Sequence, residues 1–138
     1  MIIKGRLISC KREVKEFDKK RKTEEKLFLT LADAEISEEQ MQQLQDAFAN
    51  SGAKFTPDWV KNFEGYVNLS TKFDLPYRWI DKVEHLSIED GIAEGLKWMG
   101  AEVKVSLNIK EGAIYPNALL FVTEGSAINA FAEFDNEE

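Results

Sequence analysis

The chain has 138 residues, 43 % of them apolar and 31 % charged, and a formal net charge of -7. That balance fits one globular domain with a single hydrophobic core and excludes a disordered chain. No apolar run approaches the roughly 18 residues that span a bilayer, and a lone Cys10 excludes an internal disulfide framework.

The opening stretch, MIIKGRLISCKRE, is too short in apolar residues for a signal peptide and runs directly into a strand pattern. With the single cysteine it predicts a cytoplasmic setting. Residues 2 to 17 alternate imperfectly, with Ile3, Leu7, Val14 and Phe17 as apolar marks and a slip in phase near Ser9 that predicts a bulge. Residues 26 to 32, KLFLTLA, are rich in strand formers and complete a hairpin.

The tip of that hairpin carries four consecutive cations, Lys19, Lys20, Arg21 and Lys22. Residues 1 to 26 hold ten Lys or Arg against five Asp or Glu, so this part is at +5 and the remainder at -12. A chain divided in this way can bind an anion with one face while the rest repels nonspecific partners. The tip reads either as an arm reaching toward a polyanion or as a loop kept soluble by lysines.

Ser37 followed by Gln40 forms a capping-box pattern, and Met41, Leu44, Ala47 and Phe48 fall at helical spacing. A helix over 37 to 51 is predicted, stopped by Asn50-Ser51-Gly52, with Glu38 and Glu39 where the helix dipole favours acids. Thr56-Pro57-Asp58 predicts a second, short helix through Trp59 and Phe63.

Gly65 to Asp74, GYVNLSTKFD, is a strand pattern with Val67, Leu69 and Phe73 on one face. Tyr66, Asn68, Ser70 and Lys72 share the other, which suits either a binding surface or ordinary solvent. Tyr77, Arg78 and Trp79 then set two aromatics around an arginine, an arrangement that either stacks bases or caps a core. Residues 87 to 96 read as a loop or short helical turn broken by Gly91 and Gly95.

Residues 101 to 112 alternate strictly, with Val103, Val105, Leu107 and Ile109 inward and Glu102, Lys104, Ser106, Asn108 and Lys110 outward. A Glu111-Gly112 turn leads to a return strand over 114 to 122, where Pro116 argues for an edge or for the first residues of the strand. A short amphipathic segment then precedes the acidic end EFDNEE.

Enzyme signatures are scarce. His85 is the one histidine, the glycines form no phosphate-cradling loop, and Glu84, His85, Glu89 and Asp90 match no metal-ligand spacing. Cys10 has cations near it in sequence but no candidate base, so it reads as a plain strand cysteine. No catalytic residue, metal or cofactor is expected.

The order strand, strand, helix, strand, strand, strand predicts a mainly β domain with one or two helices, a five-stranded Greek-key barrel of the OB type. It spans residues 1 to 130, with 131 to 138 as an acidic tail. The stretch GAEVKVSLNIKEGAIYPNALLFV, together with GYVNLSTKFD, resembles the OB-fold single-stranded DNA-binding proteins of bacteriophages and mobile elements. The likeness covers about a third of the chain and is one of pattern: a Lys-bearing alternating strand, a Gly turn and an aromatic-proline return.

The resemblance implies non-catalytic binding of single-stranded DNA in replication or recombination, through a basic groove lined by aromatics. Carried over by position, Lys4, Arg6, Tyr66, Lys72, Lys104 and Lys110 are groove residues. Tyr77, Arg78, Trp79 and Tyr115 are stacking or clamp residues, and Lys19, Lys20, Arg21 and Lys22 form a phosphate-contacting arm. The acidic tail is similar to tails that recruit replication or recombination proteins, although it lacks the terminal apolar residue of bacterial members. Homodimerisation is common in the family. The competing reading is an acidic interaction module, an adaptor or inhibitor, that works through helix 37 to 51 and the tail.

Overall fold

The computed structural model describes residues 1–16, 23–49, 56–79, 83–110 and 112–125. The basic tip at Lys19, Lys20, Arg21 and Lys22 and the acidic tail at 131–138 lie outside these residues. The described chain is mainly β, with seven strands in one sheet and three helices. No helix among the described residues is long and apolar enough to cross a membrane.

Two long strands, β1 (Ile2–Glu16) and β2 (Thr23–Glu35), pair antiparallel over nearly their whole length. Register shifts fall between Lys4 and Arg6 and between Leu7 and Ser9. The second is the expected slip: an extra residue at Ile8 exposes Ile8 and turns Cys10 inward. Val14 is exposed rather than part of the core, because the hairpin runs on past the layer that covers Leu7 and Cys10.

The capping box closes reciprocally at the start of α1 (Glu38–Ala49). Ser37 N–H donates to Gln40 Oε1 at 3.0 Å, and Gln40 N–H donates to Ser37 Oγ at 3.1 Å. Leu44 and Phe48 are buried beneath this helix. In α2 (Asp58–Lys61), Pro57 stands at the N-cap and Trp59 and Val60 are driven into the core.

Val67, Leu69 and Thr71 of β3 (Val67–Thr71) point inward. Two further strands, β4 (Tyr77–Arg78) and β5 (Glu84–His85), are too short to carry a periodicity, which is why a five-strand expectation misses them. The helix α3 (Ile88–Ala93) includes Gly91 and ends before Gly95, which has a positive φ of 95°. The closing hairpin joins β6 (Ala101–Lys110) to β7 (Ala113–Phe121). In β6 the strict alternation holds, with Val103, Val105 and Leu107 buried and Ile109 half-buried.

The strand order is β3-β2-β1-β6-β7-β4-β5, and the sheet is open, with β3 and β5 at its ends. It curls enough to bring β3 close to β7. One core fills the concave side, built from Ile3, Leu7, Leu29, Leu31, Val105 and Phe121 with residues of all three helices. Beyond β6, the stretch of β7 before Leu119 pairs with no other described strand, and Pro116, which lacks an N–H, sits there. A register shift opposite Ser106 and Leu107 leaves Asn117 as the extra residue beside Pro116.

Candidate nucleic-acid cleft

A cleft of about 560 Å³ lies where β3 comes close to β7. Lys26 comes from β2, Ser70 and Thr71 from β3, Lys72, Phe73 and Asp74 from the turn that follows. The β6–β7 hairpin adds Asn108, Lys110, Tyr115, Pro116 and Asn117. Three lysines face one carboxylate across this lining.

Phe73 is 78 % exposed, against the expectation that it shares the buried face of β3. The strand ends at Thr71, whose Oγ1 accepts the Phe73 N–H at 3.2 Å. That side-chain turn breaks the two-residue alternation and presents the ring to solvent. Across the cleft Tyr115 is 43 % exposed, beside the buried Pro116. Two rings and three ammonium groups therefore border one concave surface. Asn108, Asn117 and Ser70 supply hydrogen-bonding groups between them.

The cleft's β2 residue stands toward the turn end of the β1–β2 pairing. Lys26 lies three residues, about 10 Å along an extended strand, from Thr23, where the described part of β2 begins. The connection bearing Lys19 to Lys22 joins Glu16 to Thr23.

The expected site residues among those described fall in four places, the last being the aromatic cluster at Tyr77, Arg78 and Trp79. Lys72, Lys110 and Tyr115 meet in the cleft. Lys4, Arg6 and Lys104 project from the convex side of β1 and β6, where Lys4 stands opposite Lys104 and Arg6 opposite Glu102. Tyr66 is exposed at the far end of β3, away from the cleft.

The aromatic cluster is engaged with the core. Tyr77 is only 5 % exposed; its ring stacks on His85 at 4.6 Å and meets Phe121 edge-on at 5.7 Å. Burial, with Glu94 and Asp90 nearby, pushes its phenol pKa up. Trp79 packs on Phe121 at 5.0 Å. Arg78 is exposed and pairs with Glu84, its Nε donating to Oε1 at 3.1 Å. Tyr77 and Trp79 thus cap the core, one of the two readings that their sequence leaves open.

Lys26 and Phe73 were missed from the sequence. The signal for Lys26 was its place at the start of KLFLTLA, and that for Phe73 was the Thr71 hydroxyl two residues before it.

Cys10 is buried, and burial together with the nearby Glu89 pushes its thiol up to about 12. Among the described residues no group of three or more His, Cys, Asp or Glu side chains is placed to hold a metal ion. Comparison with protein-family models, with curated proteins and with solved structures returns no match for this chain.

Proposed function

We propose that this protein binds single-stranded DNA without catalysis, as a component of replication or recombination, through the cleft between β3 and β7. The observation that carries the reading is the joining of Lys26, Lys72 and Lys110 with the exposed rings of Phe73 and Tyr115 around one concavity. Ammonium groups neutralise phosphates, and flat exposed rings take unstacked bases at about 1–3 kcal/mol each. A duplex hides its base faces, so the rings favour a single strand.

The strand order lends further support. Four long strands stand as β6-β1-β2-β3, the Greek-key arrangement in which the fourth returns beside the first. With β7 next to β6 and close to β3, this order supports reading the open sheet as an OB-type arrangement with its gap between β3 and β7. In many such barrels a helix lies between the third and fourth strands; the short α3 precedes β6 here, while the longer α1 follows the second strand, a departure from that pattern.

The net charge of -7 does not oppose this function. Potential is felt mainly within a Debye length of about 8–10 Å, and three lysines act within the cleft itself.

The test is anisotropy of a fluorescein-labelled oligo(dT) and of a matched duplex, titrated with the protein at several salt concentrations. None of the three tryptophans lines the cleft, so the label belongs on the DNA. Tight, salt-weakened binding of the single strand over the duplex is expected. Absence of binding at low salt overturns the proposal.

A further inference from the structure

A second concavity, of about 460 Å³, lies on the convex side of the sheet over β4, β5, β6 and β7. Its lining is chemically unlike that of the cleft. Ile2 (61 % exposed), Leu86 (86 %) and Leu120 (38 %) supply aliphatic surface, and Lys104, Arg78 and the Glu84 that pairs with Arg78 stand among them. Tyr77 and His85 also reach this groove, but their rings are stacked on each other and Tyr77 is buried. The exposed apolar side chains here are all aliphatic.

The register explains how the charges assemble. Lys4, Lys104, Leu120, Arg78 and Glu84 are successive cross-strand neighbours from β1 to β5, one transverse row with three cations. Lys4 and Lys104 face each other directly, a like-charge juxtaposition that opposes sheet stability. Lys4 leans toward Glu102 at 3.9 Å, whereas Lys104 has no carboxylate within ion-pair distance among the described residues. Arg78 and Lys4 are held in exposed ion pairs, with Glu84 and Glu102, which are cheap to exchange for another carboxylate. An aliphatic groove with one uncompensated lysine and two such exchangeable cations suits a ligand that is apolar at its centre and acidic around it.

We infer that this groove docks an acidic peptide segment of a partner protein, with one large apolar side chain seated among Ile2, Leu86 and Leu120, one flanking carboxylate on Lys104, and others on Arg78 and the adjacent Lys4 in exchange for their exposed pairs with Glu84 and Glu102. The lack of exposed rings distinguishes the groove from the cleft and favours a peptide over a nucleic acid strand, whose bases need flat partners. Lys104 is about 20 Å along β6 from Lys110 of the cleft, six residues at strand rise. A bound peptide and a bound oligonucleotide therefore occupy separate surfaces, and the inference does not depend on the single-strand reading.

The experiment uses the full chain with methyl-labelled Ile and Leu, titrated with three synthetic octapeptides. One has six Asp or Glu around a central Leu-Phe pair, the second replaces that pair with Ser-Ser, and the third replaces the acids with Lys. The expected result is shifts of the Ile2, Leu86 and Leu120 methyls with the first peptide, at least about tenfold weaker binding of the second, and none of the third. Leu120→Glu is expected to weaken the first peptide at least tenfold while leaving oligo(dT) affinity unchanged. Leu86→Ser, at a largely exposed side chain, is expected to act in the same direction without a folding cost.

Equal binding of all three peptides, or shifts elsewhere, overturns the proposal. So do shifts of these methyls by oligo(dT), which would make the groove a second DNA surface. The same holds if the methyl positions in the free full chain move when Glu133, Asp135, Glu137 and Glu138 are replaced by their amides, because the occupant would then be the chain's own end.

Discussion

The guanidinium of Arg12 on β1 grips the carboxylate of Glu89 on α3. Nε donates to both oxygens, at 2.9 and 3.0 Å, and Nη2 donates to Oε1 at 2.6 Å. Both side chains are mostly covered, at 20 % and 33 % exposure. The Glu89 hydrogen bonds raise the Arg12 pKa above its ordinary value, with Glu25 and Asp74 adding to the effect against the opposing cost of burial. This pair fastens the short α3 to the sheet two residues beyond the buried Cys10.

Removing one partner should therefore cost more than loss of an ordinary surface ion pair, which is worth about 0–1 kcal/mol. Glu89→Ala is expected to destabilise the fold by about 1.5–3 kcal/mol, the range for hydrogen bonds to charged groups. Arg12→Ala should do the same, and the double variant should lose less than the sum. Urea midpoints at unchanged slope measure all three. Additive losses would show that the two groups do not act as a unit.

Gly91 makes a second contact of α3 testable. A Cβ built on it would lie 2.8 Å from Tyr77 Cζ and closer still to the phenol oxygen, so the ring fills the space that a side chain would take. Alanine normally gains about 1 kcal/mol over glycine within a helix. Here overpacking, at about 1–3 kcal/mol, outweighs it because the Tyr77 ring is buried and held by His85 and Phe121. Gly91→Ala is expected to lower the urea midpoint, and adding Tyr77→Phe should restore part of the loss.

This glycine also shows why part of the molecule was hard to read. The capping box at Ser37 and Gln40 and the alternation of β6 are local, each decided by residues within four positions of one another. The fate of Tyr77 depends on a gap in α3, 14 residues away, and nothing near Tyr77 in sequence announces it. Phe73 was misplaced for the opposite reason: one local hydrogen bond to Thr71 overrode a strand periodicity that would have turned it inward. Of the cleft, Lys72 and Lys110 are legible as outward-facing residues, and Tyr115 as a stacking residue only through the resemblance. That they meet, while Lys4, Arg6 and Lys104 lie elsewhere, depends on how the sheet curls.

The buried thiol of Cys10 gives a pH dependence with a definite sign. Its pKa rises from 9.0 to about 12 on folding, so the folded state binds the proton more tightly than the unfolded chain. That contribution is fully present below pH 9 and is lost as pH rises toward 12. At pH 10 the unfolded thiol is mostly ionised while the folded one is not, and the loss is about 1.4 kcal/mol. Urea midpoints at pH 8 and pH 10 should show it, with a flatter profile for Cys10→Ala. A thiol reagent at pH 8 should label the native protein far more slowly than the unfolded one; equal rates would contradict the burial.

The cleft makes the most direct functional prediction, because its two kinds of side chain leave different signatures. Phe73→Ala and Tyr115→Ala each remove a stacking platform worth about 1–3 kcal/mol, so oligo(dT) affinity should fall about 5- to 150-fold with little change in salt dependence. Lys72→Ala and Lys110→Ala each remove one phosphate contact, which should weaken binding and flatten the slope of log affinity against log salt by about 0.7. Neither ring supports the core, and Lys110 stands at the end of β6, so urea midpoints should stay close to those of the parent chain. Replacing Lys19 to Lys22 by alanine should flatten the slope further if the arm reaches the same strand, by up to about 2.8 for four contacts. Anisotropy titrations of labelled oligo(dT) over a range of salt concentrations separate these effects. A Phe73→Ala variant that binds as tightly as the parent would remove the cleft from the DNA path, and an unchanged slope for the tip variant would return those four cations to the role of solubilising surface.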